Sequence, residues 1–226
     1  FSFHNYVTLF TTPELIDMII GSIALAIGSA VLATILGTTG AIGAFYSKKN
    51  VNGTMSVLNQ IPVVNADVVT GFSLCILLVV VFGVSKNTYI PLVIGHTVLS
   101  APFVYLAVVP KLKQMDPSLY EAALDLGATP GYTLIHIIIP QIASGIISGF
   151  VMAVTLSLDD YFVATYTKPA TFDTISTYVV NATKGSQTNI RTALWALSTI
   201  IFLIVVIVEV VMNFAPVGGK KEAKDE

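Results

Sequence analysis

The chain has 226 residues, 54% of them hydrophobic and only 11% charged, against about 25% charged in a soluble domain. That composition excludes a water-soluble surface, and 11 Lys and Arg against 13 Asp and Glu leave no basic excess for a nucleic-acid partner. Cys75, alone in an apolar run, and three scattered histidines, His4, His96 and His136, give neither a disulfide framework nor a zinc-ligand spacing. No catalytic residue and no metal site is expected.

The opening FSFHNYVTLF has no initiator Met, no basic start and no small-residue cleavage site, so it reads as the middle of a longer chain. A helix that crosses a bilayer needs about 20 predominantly apolar residues. Five stretches qualify: residues 15–46, 56–82, 89–110, 132–157 and 192–214. The chain is therefore expected to be an all-α integral membrane protein with one transmembrane domain over residues 1–226. The first span carries Gly21, Gly28, Gly37, Gly40 and Gly43, and the fourth carries Gly145 and Gly149; small residues of this kind let helices approach in lipid.

Orientation follows from the basic residues, which accumulate on the cytoplasmic side. One set of connections holds Lys48, Lys49, Lys111, Lys113, Lys220, Lys221 and Lys224; the other holds Lys86, Lys168, Lys184 and Arg191. The first set is expected inside. The outer connection, residues 158–191, is too long for a turn and mixes Tyr161, Phe162, Tyr166, Phe172 and Tyr178 with polar residues, so part of it is expected to pack over the bundle. His96 and His136 are expected to be satisfied polar groups of the bundle, and Glu209 a polar contact between subunits.

The inner connection holds a short helix, residues 116–127. Asp116 suits the N-cap, Pro117 the first helical position and Gly127 the exit. Leu119, Ala122, Ala123 and Leu126 follow the i, i+3, i+4, i+7 spacing of one face. In this segment Glu121-Ala122-Ala123, then Gly127, then Ile137-Ile138-Ile139-Pro140 resembles the EAA signature of permease subunits of bacterial ABC importers, with Ile139 where Leu is usual. The resemblance implies the type I importer permease fold with six spans, so that one span would precede Phe1. It makes residues 116–127 the coupling helix, with Glu121, Ala122, Ala123 and Gly127 as the residues that engage an ATPase.

Within that superfamily, NADVVTGFSL, DPSLYEAALDLGAT and TLSLDDYFVATYTKP are similar to segments of the spermidine/putrescine permeases. Asn65-Ala66 stands where Pro is usual, with Pro62 upstream, so the helix break is expected to be displaced. The resemblance implies a second homologous permease, a dimer of ATPase subunits and an extracytoplasmic polyamine-binding protein as partners. No Walker phosphate loop occurs in the chain; no cofactor is expected on it, with ATP and Mg held by the ATPase.

The carboxylates also speak for themselves. Asp67 lies inside an apolar span, where an ionised group costs about 2.5–3.5 kcal/mol on insertion scales, so it should face a cavity, a partner or a ligand. Asp159 and Asp160 fall at the outer end of the fourth span; adjacent positions point about 100° apart, so one is expected on the pathway and the other paired with protein or capping the outer loop. The resemblance carries Asp67, Ser157, Asp159 and Asp160 over as polyamine-pathway residues. Ferric iron, sulfate and molybdate permeases share the architecture, but an oxyanion path would favour basic or neutral groups, and the spans hold no Lys or Arg. A membrane enzyme using Asp159 and Asp160 lacks a second acidic motif, and a secondary transporter would leave the coupling helix without a role.

Overall fold

A computed structural model describes residues 13–184, 197–200, 202, 203, 206, 207 and 210. Among them every regular element is helical. Helix α1, Pro13–Phe45, is the longest. Its buried stripe is built of small residues, Ser22, Ala26, Ser29, Ala30, Ala33, Ala41 and Ala44, whereas Ile20, Ile23, Ile27, Val31, Ile35 and Leu36 point outward. Large residues outside and small ones inside are what lipid demands, because packing rather than water exclusion drives helix association there.

The small stripe meets α4, Ile90–Gln114, and α4 in turn meets α8, Ala143–Asp159. Val104 of α4 has no exposed surface and sits between two glycines. A Cβ on Gly37 would stand 2.7 Å from the Val104 Cβ and 2.7 Å from the Ala101 carbonyl oxygen; one on Gly149 would stand 3.1 Å from the Val104 Cα. Gly145 is equally close to the Ala107 carbonyl, at 2.9 Å. Gly37, Gly145 and Gly149 thus serve helix packing, whereas Gly21 makes room for the Phe172 ring of the outer connection and Gly28 and Gly43 face open space.

The second and fourth spans, expected as continuous helices over 56–82 and 132–157, are broken. Residues of the second form α2, Lys49–Val64, and α3, Asp67–Cys75, the latter continued by a π-helical stretch Ile76–Val81; the two halves bend by 103°. The break lies at Asn65 and Ala66, both extended, and Pro62 stays inside α2, so the displacement expected from Pro62 does not occur. The Asn65 side chain turns forward to donate to Thr70 Oγ1 at 3.2 Å across the break, and Asp67 follows in the first turn of α3, where the helix dipole favours a carboxylate.

The fourth span is made of α6, Pro130–Thr133, a π-helical stretch Leu134–Ile138, and α7, Ile139–Gln141, followed by α8. It bends by 71° about Ile142. Pro140 is the cause: it lacks an N–H and crowds the carbonyl four residues back, so the preceding turns widen and the axis kinks.

The connection 111–131 carries α5, Ser118–Asp125, at the same end as the α1 terminus, where Tyr46 and Tyr120 have ring centroids 5.0 Å apart. That end carries Lys48 and Lys111. At the opposite end α9, Phe162–Thr167, and α10, Ile175–Lys184, fold over the bundle as expected for the outer connection. Ser22 Oγ accepts the Ile175 N–H at 2.9 Å. Lys168 closes the intervening turn through Asp173 at 2.8 Å and the Phe172 carbonyl at 3.1 Å. Of the span 192–214, Leu197 is buried against Leu15, Met18 and Ile175; Glu209 and His4 lie outside the described residues.

Candidate coupling helix and transport pathway

Helix α5 is defined at both ends by its own sequence. It begins one residue later than expected, at Ser118, with Pro117 before it. Asp116 Oδ1 nonetheless caps it by accepting the Ser118 N–H at 2.9 Å and the Ser118 hydroxyl at 2.7 Å. These two bonds hold the Asp116 carboxyl below its ordinary range. At the other end the Ala128 N–H reaches the Ala123 carbonyl at 3.0 Å and the Gly127 N–H the Leu124 carbonyl at 2.9 Å, the paired bonds of a Schellman terminator. Gly127 adopts the positive φ, +85°, that this ending needs.

The expected face of Leu119, Ala122, Ala123 and Leu126 does not form as a unit. Ala123 is buried, and Leu119 and Tyr120 pack on the core, while Ala122 is exposed and Leu126 is 89% exposed. Leu126 keeps the helical bond of its N–H to the Ala122 carbonyl at 3.2 Å, yet its side chain meets no neighbouring element. Glu121, Ala122 and Asp125 therefore form an outward surface. Beside it runs a groove of about 960 Å³ lined by Phe45, Tyr46, Tyr120, Glu121, Leu124 and Leu134.

The other set of residues divides sharply by burial. Asp67 is exposed at the start of α3, at the bend of the second span. Asp159 is exposed and opens on a cavity of about 360 Å³ lined with Thr155, Leu158, Ile175, Ser176 and Phe202. Asp160 is buried and turns inward to cap α9, accepting the Val163 N–H at 3.2 Å and the Ala164 N–H at 2.7 Å. Ser157 is also buried, its hydroxyl 2.8 Å from His96 Nδ1 and 3.3 Å from Ser29 Oγ. The two aspartates thus take the two orientations expected of neighbours on a helix. Asp67 heads α3 and Asp160 caps α9, and the two helices pack on each other, with Gly71 so close that a Cβ there would stand 2.9 Å from the Val163 Cα.

One residue of this cluster was read from sequence only as a satisfied bundle group. His96 has no exposed surface, and only its Nδ1 is bonded; Nε2 faces Asp160 Oδ2 at 3.7 Å without a hydrogen bond. Its partners are 61 and 64 residues away along the chain, and the sequence signal available was simply a histidine in mid-span. His136 is exposed, stacked on Tyr132 and 3.3 Å from the Tyr132 carbonyl.

Residues 37–215 match the family described as the inner membrane component of binding-protein-dependent transport systems. The chain belongs to that family. It is therefore a multi-pass inner-membrane permease component rather than an enzyme, working in a system that depends on a binding protein. The chain is 30% identical over 211 residues to the spermidine/putrescine transport system permease protein PotC of Haemophilus influenzae, covering 92% of this chain and 80% of that one. It is 34% identical over 151 residues to the putrescine transport system permease protein PotI of Escherichia coli K12, covering 64% of this chain and 53% of that protein. Its fold is that of a permease in the crystal structure of a bacterial alginate ABC transporter, with a TM-score of 0.72, 18% identity and coverage of 97% and 85%. This confirms the type I permease architecture.

Proposed function

We propose that this chain is the membrane subunit of an ATP-driven importer of polyamines such as spermidine and putrescine. It would pair with a second homologous permease and two ATPase subunits, and receive cargo from an extracytoplasmic polyamine-binding protein. ATP and Mg belong to the ATPase subunits, and this chain holds no cofactor. Glu121, Ala122 and the end set by Gly127 are the surface offered to the ATPase, with Ala123 seating α5 on the bundle.

The observation that carries the cargo reading is the exposure of two carboxylates, Asp67 at the bend of the second span and Asp159 at the end of the fourth, in spans without Lys or Arg. Spaced acidic groups attract a polycation without trapping it, which conduction requires, and the named polyamine relatives agree. Asp160 and Ser157 stand behind them as support. ATP binding and hydrolysis shift the bundle between outward and inward access by favouring one state over the other.

The test is uptake of labelled spermidine and putrescine by the four-subunit complex with its binding protein in proteoliposomes. ATP-dependent uptake of either is expected, falling in Asp67→Asn and Asp159→Asn. Uptake of sulfate or ferric iron in place of polyamine overturns the reading.

A further inference from the structure

Four described segments converge on one buried polar chain. Ser29 comes from α1, His96 from α4, Ser157 from α8, and Asp160 from the corner where α8 ends and α9 begins. None of the four has more than 8% of its surface exposed. In hydrocarbon surroundings an unpaired polar group is costly, yet His96 Nε2 is left without a hydrogen bond while pointing at a carboxylate.

The chemistry selects one proton arrangement. An ionised carboxylate only accepts, so the ring places its N–H at Nε2, toward Asp160. Nδ1 then accepts from the Ser157 hydroxyl, while the Ser29 hydroxyl donates to the Ala26 carbonyl at 3.2 Å and shares that one proton with Ser157 Oγ at 3.3 Å. Asp160 has both oxygens engaged by the α9 backbone, so whatever orients its carboxylate also orients α9. That short helix is wedged between α3 and α4: Val163 fills the space left by Gly71 on one side, and on the other its Cγ1 stands 2.8 Å from where a Gly95 Cβ would be.

We propose that His96 is a positioning residue for transport. It reads the packing of α1, α4 and α8 through Nδ1 and, through Nε2, faces the carboxylate at the α8–α9 corner at 3.7 Å, an electrostatic contact without a hydrogen bond. It thereby sets where Asp159 stands relative to Asp67 at the head of α3. The inference rests on the polyamine reading for what those two carboxylates bind, but not for the positioning itself.

The two nitrogens can be separated by substitution, because Asn places its amide near Nδ1 and Gln places its amide near Nε2. Phe72 of α3 and Tyr166 of α9, with ring centroids 5.7 Å apart, report the seat of α9. In the assembled transporter with Cys75→Ala, Phe72→Cys and Tyr166→Cys, a short bis-maleimide is expected to cross-link the pair equally well with His96 or with His96→Gln. In His96→Asn and His96→Leu the rate is expected to fall about tenfold, the effect of removing the N–H that faces a buried carboxylate. Spermidine uptake per assembled complex should follow the same order, with Gln rescuing and Asn not. Equal behaviour of the Gln and Asn variants, or wild-type cross-linking in His96→Leu, overturns the proposal. A complex that shows the cross-linking pattern but takes up no polyamine refutes the cargo reading and leaves the positioning role standing.

Discussion

Gly127 ends α5 at a φ of +85° with no heavy atom within 4 Å of the place a Cβ would occupy. Steric crowding by neighbours therefore drops out, and any substitution reports the backbone alone. An L-residue in the left-handed region costs about 1–2 kcal/mol, with Asn the most tolerant after Gly. At tenfold per 1.4 kcal/mol, Gly127→Ala should lower the equilibrium constant for the Schellman ending by about 5- to 30-fold, with Asn milder and the β-branched Val worse. If this ending aims Glu121 and Ala122 at the ATPase, polyamine uptake in proteoliposomes should fall in the order Gly, Asn, Ala, Val. ATP hydrolysis should become progressively uncoupled from uptake, while capture of cargo by the binding protein is unchanged. Uptake in the Val variant equal to wild type, or an Asn variant no better than Val, would refute the reasoning.

Gly37→Ala and Gly149→Ala should each lower the thermal stability of the purified permease complex, by about 1–3 kcal/mol of overpacking against Val104. Gly28→Ala and Gly43→Ala, which meet nothing within 4 Å, should leave it unchanged. The Asp116 carboxyl is held below its ordinary value by Ser118. Its capping stabilisation is therefore fully present above the ordinary carboxylate range and is lost only as pH falls through the depressed value. Coupling measured between pH 6 and 8 should not vary through this group; Asp116→Asn, which still accepts, should transport like wild type, and Asp116→Ala should lose coupling.

Much of the molecule was legible along the chain. Hydropathy found the apolar stretches because lipid exposure acts on each residue separately, and Lys48 and Lys111 do fall at one end of the described bundle. Asp116 and Gly127 marked the limits of α5 because caps are made by residues adjacent in sequence. The EAA spacing and the segments around Asp67 and Asp159 led to the right family for the same reason, each being a short local pattern.

What escaped was everything decided between segments. The bend falls at Asn65 and Ala66 while Pro62 stays within α2, and Leu126 is exposed although the i, i+3 spacing groups it with buried Ala123. The division of Asp67 and Asp159 from Asp160 and Ser157 was visible only as two directions, not as exposure and burial. Sequence alone determined that this chain is a membrane protein of this family and where α5 begins and ends. Tertiary structure decided which carboxylates stay open and that His96 joins Ser157 and Asp160. Contacts between residues 61 and 128 positions apart exist only once glycine-lined helices have closed on one another.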